Sequence, residues 1–193
     1  AKSAERTRVL EIIVSTRAQL ADQKLGAGDR TVGIELFKQA VADAPDPISD
    51  KLFAEVVMQF PNNLFYRGEQ AAAIEIARLI EEKVGGNAKH LLALSAFYLG
   101  TENADAARAV ADKAVALDAN SPAAYQALGF ANRVSFQLEE AAAAYQRALE
   151  LDPGSAVSRR SLAEMKRALG RADDSVALYR ELLEKTPDDA TSH

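Results

Sequence analysis

Apolar side chains recur along this chain three and four residues apart, the spacing that gathers them on one face of a helix. Near the front, Gly33, Phe37, Ala40 and Val41 form such a face in "GIELFKQAVADAP", which ends at Pro45. The long run from about Ser3 to Lys24 supplies a partner helix, and "LGAGDR" between them, with two glycines, reads as the stop. Leu52, Phe53, Val56, Val57 and Phe60 share the next face, with Ser49 or Asp50 placed to cap it. "PNNLFYRGEQ" then interrupts, because Pro61, two asparagines and Gly68 argue for a loop carrying Leu64, Phe65 and Tyr66. These three side chains are expected to pack back onto neighbouring helices; the alternative is an exposed patch that recruits a partner. Helical spacing resumes through Ala73, Ala77 and Ile80 and stops at Gly85-Gly86.

From residue 88 onward the pattern copies itself. Ser95, Gly129 and Ala163 are spaced by 34 residues, as are Ala107, Ala141 and Ser175. The same period links Leu94, Leu128 and Leu162, then Ala114, Ala148 and Leu182, then Ala119, Pro153 and Pro187. Small residues at fixed places in paired helices predict a close crossing at Gly129 and Ala141, where larger side chains would hold the helices apart. Tyr125 and Tyr145 are expected to fill the wider spaces above and below. Pro153 ends the second helix, since proline cannot continue it.

A helix–turn–helix unit of this period, with Tyr125, Leu128, Gly129, Ala141, Tyr145, Ala148 and Pro153 in residues 122–155, resembles the tetratricopeptide repeat. Residues 88–121 carry Leu91, Leu94, Ser95, Tyr98, Ala107, Ala111 and Ala114. Residues 156–189 keep Leu162, Ala163, Ser175, Tyr179, Leu182 and Pro187 but place Arg159 and Lys166 where the pattern has bulky packing residues. That third pair is therefore expected to be looser, or its first helix partly exposed. Residues 1–87 read as degenerate helix pairs of the same kind, and residues 190–193 as the start of a further repeat or a tail. The resemblance implies an all-α fold, a right-handed superhelical solenoid of about five antiparallel helix pairs, with first helices lining a concave side.

Composition removes several functions. The hydrophobic fraction of 48% suits a folded chain, and a formal net charge of −5 gives nucleic acid no basic footprint. No cysteine is present, so disulfides and Cys-based zinc sites are excluded. No apolar run is long enough for direct membrane insertion. The chain is expected to be soluble, in cytoplasm or periplasm, with the compartment open. It opens with Ala1 and not Met, which suggests a processed or cloned segment. His90 and His193 are not at metal-ligand spacing and are expected to be ordinary surface histidines. There is no nucleophile elbow and no phosphate loop, so no enzyme activity and no cofactor are expected.

The resemblance also implies which side chains line the concave side: Lys89, Leu92, Ala96 and Leu99, then Ala123, Gln126, Phe130, Arg133 and Val134, then Val157, Arg160, Glu164 and Arg167. As a peptide-binding groove, Lys89, Leu92, Leu99, Gln126, Phe130, Arg133, Arg160, Glu164 and Arg167 set four cations against one acid beside an aromatic anchor. Arginine forks onto carboxylates, so an acidic protein or peptide is the expected partner. The polar set with which some family members grip a chaperone's terminal carboxylate is missing, since Leu92, Ala96, Ala127, Val157 and Ser161 stand in its place. The expected function is a non-enzymatic protein-interaction scaffold. The alternative is an oligomerisation segment of a larger repeat protein, self-associating through a C-terminal helix that leaves Leu178 or Leu182 exposed. A third reading is an accessory region of an enzyme whose catalytic part lies elsewhere.

Overall fold

A computed structural model describes residues 2–185, and among them there are helices and turns but no strand. The chain divides into two compact units, one ending at His90 and the other beginning at Leu91. Pro187 and residues 190–193 lie outside the described residues.

In the N-terminal unit, α1 (Lys2–Gly26) packs along α2 (Arg30–Asp43). Gly33 explains how closely: a Cβ there would fall 2.7 Å from the Leu25 side chain and 3.0 Å from the Ala21 carbonyl. Ser49 caps the next segment by accepting from the Leu52 amide, and Asp50 opens the short helix α3 (Asp50–Leu52). A wide π-helical turn (Phe53–Val57) follows and runs into α4 (Gln59–Tyr66). The loop expected from Pro61 onward is therefore a helix. In a regular helix the proline ring would meet the carbonyl of Val57, four residues back. The wide turn stands at that point, and Met58 N–H bonds the Phe53 carbonyl five residues back, so the chain stays helical around the missing donor. Leu64 is buried, Phe65 half-buried and Tyr66 85% exposed, so only part of the apolar trio packs inward. Phe37 and Phe60 stack at 4.5 Å, and α4 and α2 both pack on α5 (Gln70–Val84) through Ala73, Ile76, Ala77 and Ile80. Each of the two fully buried isoleucines contributes roughly 1.5–3 kcal/mol.

The C-terminal unit holds most of α6 (Ala88–Gly100), then α7 (Ala104–Leu117), α8 (Pro122–Val134), α9 (Leu138–Leu151), α10 (Ala156–Ala168) and α11 (Ala172–Lys185). α8 packs on α7 and α9, and α10 on α9 and α11. Crossings fall where the small residues predicted them. A Cβ on Gly129 would lie 2.8 Å from the Tyr145 ring, so the tyrosine sits directly on the glycine and not in a space above or below it. In the flanking pairs a hydroxyl ties the crossing: Ser95 donates to the Ala107 carbonyl and Ser175 to the Ala163 carbonyl, both at 2.9 Å.

The 34-residue period is visible in the backbone. Gly68, Glu102, Phe136 and Gly170 share the left-handed region at φ 82°, 61°, 59° and 75°. One residue later, Glu69, Asn103, Gln137 and Arg171 each donate to the carbonyl five residues back at 2.8–2.9 Å. This is the Schellman closure, which satisfies the last carbonyls of a helix and needs a left-handed residue. First helices start alike too: Asn87, Ser121 and Ser155 accept from the amides of His90, Ala124 and Ser158.

Two expectations about the last pair change. Arg159 is 3% exposed, and it ties the preceding turn to α11 by donating to the Pro153 carbonyl at 2.7 Å and to Glu181 at 3.3 Å. A buried cation with both partners supplied replaces the missing bulky residue, so the pair is not loose there. Leu182 is fully buried and Leu178 packs half-buried on the cluster of Ala141, Tyr145, Leu162 and Met165. Neither is the exposed apolar residue expected of α11. Its exposed side chains include Asp173, Asp174, Arg180, Glu181 and Glu184, with Val176 as the large apolar one.

Candidate functional site

The first helix of each C-terminal pair contributes one side to a concavity of about 620 Å³. α6 supplies Leu92, Ser95, Ala96, Leu99 and Gly100; α8 supplies Ala123, Gln126, Ala127 and Phe130. Val157 and Ser161 of α10 close one side, and Tyr145 of α9 reaches in from behind. Depth comes from the small residues Ala96, Gly100, Ala123 and Ala127, because nothing projects from these positions to fill the space between α6 and α8. Phe130 and Val157 remain 41% and 60% exposed, a large apolar surface in contact with water. None of the twelve lining residues carries a formal charge.

Polar groups hold the walls in position. Gln126 donates to the Ser155 and Ser158 hydroxyls at 3.1 and 2.9 Å, fixing α8 to the start of α10. Arg133 lies over the Phe130 ring at 4.6 Å and pairs with Glu164 at 3.4 Å, linking the far end of α8 to α10. Burial pushes the Tyr145 phenol above its ordinary pKa, against the pull of nearby Arg133. Tyr179, one period later, is also raised by burial and by Glu164, with Arg167 and Arg160 acting the other way. Arg160, Glu164 and Arg167 thus gather around Tyr179.

Of the residues named from sequence, Leu92, Leu99, Gln126 and Phe130 line the concavity together. Arg133 and Glu164, paired at 3.4 Å, adjoin it through Phe130, and Arg160 and Arg167 of α10 are not among its lining residues. Lys89 does not join them. It belongs to the N-terminal unit, where its ammonium meets Asp50 at 2.5 Å. The lining of the hollow is therefore uncharged, and the four cations and one acid expected in the groove are not among its residues. Tyr145 was read only as packing, and Ala127 and Ser161 only as gaps in a polar clamp. The signal that could have found them is their register against Gly129 and Val157, which points them to the same side as Phe130.

His90 is corrected as well. It is 2% exposed, stacks on Phe53 at 3.9 Å and meets Asp50 at 2.9 Å through Nε2. It is a core residue of the N-terminal unit, not a surface one. Among the described residues no three His, Cys, Asp or Glu side chains gather as a metal site, and no helix is long and apolar enough to cross a membrane.

Residues 135–193 match the tetratricopeptide repeat family. That match spans less than half of the chain. Similar solved structures carry the same fold along nearly the whole chain. MamA is 21% identical, with 97% of this chain and 96% of that chain covered at a TM-score of 0.62. YrrB, described as a TPR protein with an unusual peptide-binding site, is 15% identical over 91% of this chain and 88% of its own, at 0.62. The first TPR of Spaghetti (RPAP3), bound to the HSP90 peptide SRMEEVD, is 26% identical over 63% of this chain and 96% of its own, at 0.51. No curated protein matches the sequence. The uncharged concavity of about 620 Å³ lies on the first helices of the 34-residue repeats.

Proposed function

We propose that the chain is a tetratricopeptide-repeat protein acting as a non-enzymatic interaction scaffold, which docks a peptide segment of a partner protein on the concave side of its C-terminal unit. The observation that carries the reading is the hollow of about 620 Å³ between α6, α8 and α10. Its volume falls within the roughly 300–1,000 Å³ of sites that enclose small ligands or peptide side chains. Apolar walls with a few fixed polar groups are the usual makeup of such sites, and Arg133 beside Phe130 resembles the pairing of arginine and aromatic that dominates interface energetics. The neighbour of the same fold described as having a peptide-binding site and the one bound to a peptide lend support.

Photo-crosslinking tests this. Random dodecapeptides displayed on phage are panned against the full chain, and enriched peptides are synthesised. A photoreactive benzoylphenylalanine is placed at Ala123, on the rim of the hollow, or at Gln146, exposed on α9. The reading predicts peptide adducts from position 123 and none from 146. Equal labelling, or labelling from 146 alone, contradicts it.

A further inference from the structure

Resting on the groove reading, we infer that the hollow between α6 and α8 takes a neutral aliphatic side chain of the partner peptide, of leucine, isoleucine or methionine type, and excludes a carboxylate. Charge complementarity decides this. The lining of the hollow has no charged group, so an aspartate or glutamate entering it would give up water without gaining a counter-ion. The nearest cation does not compensate. Arg133 already pairs with Glu164 and lies over Phe130, so its charge is partnered within the protein. Gln126 spends its amide protons on Ser155 and Ser158. Ala96 and Ala127 leave the space between α6 and α8 open, and an aliphatic side chain of leucine, isoleucine or methionine size fills it without displacing a wall. Acidic residues of the peptide are assigned to the exposed Arg167, outside the hollow.

Composition of the panned peptides and three variants test the inference. Affinities of enriched peptides are measured by fluorescence anisotropy for the unmodified chain, Ala127→Trp, Ala123→Glu and Arg167→Glu. Ala127→Trp plugs the floor and Ala123→Glu sets a carboxylate at an exposed rim position. Either one keeps the test open should the other fail to fold, which circular dichroism reports. The inference predicts enrichment in leucine, isoleucine or methionine, a loss of at least about tenfold with the two hollow variants, and a smaller loss with Arg167→Glu. Acidic peptides that ignore Ala127→Trp but need Arg167 would overturn the aliphatic anchor while leaving the groove reading intact. Failure of any peptide to label position 123 would overturn both.

Discussion

The Tyr145 ring lies against Gly129 so closely that a single added carbon would stand 2.8 Å from it. This contact sets the distance between α8 and α9, and the same ring then reaches the floor of the hollow. Helix packing and the candidate site therefore share one side chain.

Gly129→Leu should destabilise the chain by about 1–3 kcal/mol or more, since the ring has no room to yield inside a packed pair. Gly129→Ala should cost less, because alanine recovers roughly 0.8–1 kcal/mol of helix propensity. Combining Gly129→Ala with Tyr145→Leu should cost less than the two single changes added together. Urea unfolding followed by circular dichroism measures all four; strict additivity would mean that the two residues do not meet.

The left-handed turn position predicts a gain. Gly68 and Gly170 occupy it at no steric cost, whereas Phe136 adopts φ 59° with its ring 87% exposed. Phe136→Gly should stabilise by roughly 0.5–1 kcal/mol, the relief of a left-handed bulky residue reduced by the entropy of the new glycine. Gly170→Ala should destabilise. A Phe136→Gly variant with a lower unfolding midpoint would show that the ring contributes contacts the turn needs.

Arg159 offers a harder test, because the sequence pattern marks it as misplaced. Arg159→Ala removes the charge-assisted hydrogen bonds to the Pro153 carbonyl and to Glu181 and should cost about 1–3 kcal/mol. Lys166→Ala, at the other departure from the pattern, should cost less, since its contact with Asp174 is long, at 3.8 Å. Thermal unfolding ranks the two; equal effects would remove the structural role given to Arg159.

Asp50 carries a pH signature. Its hydrogen bonds from Lys89 and then His90 hold the carboxyl below the ordinary value. A lowered folded-state pKa means the stabilisation is present above the unfolded value and is lost as pH falls through the folded one. NMR titration of the Asp50 carboxyl should give a midpoint below that of the unfolded chain, and Lys89→Ala should raise it. No change in Lys89→Ala would separate the two groups.

Much of this was legible in the sequence because the period is a property of side-chain size. Small residues at Ser95, Gly129 and Ala163 could be read without coordinates, and the helices they imply are there. The segment at Pro61 was not legible, since a proline signals a break and only the π-helical turn before it reveals a continuous path. Arg159 and His90 were misread for one reason: a charged or polar residue looks exposed until its buried partners, Pro153 and Glu181 or Asp50 and Phe53, are in place. The groove was half legible. Register brings Leu92, Gln126 and Phe130 to one hollow, whereas counting arginines suggested a basic character that the uncharged lining does not share.

The most direct test is an amide chemical-shift map of the isotopically labelled chain, titrated with a panned peptide. Perturbations centred on Leu92, Ala96, Gln126, Ala127 and Phe130, with α7 and the exposed face of α9 unmoved, are the predicted result. Perturbations centred on the exposed faces of α9 and α11, or on α1 and α2, would contradict docking in the groove.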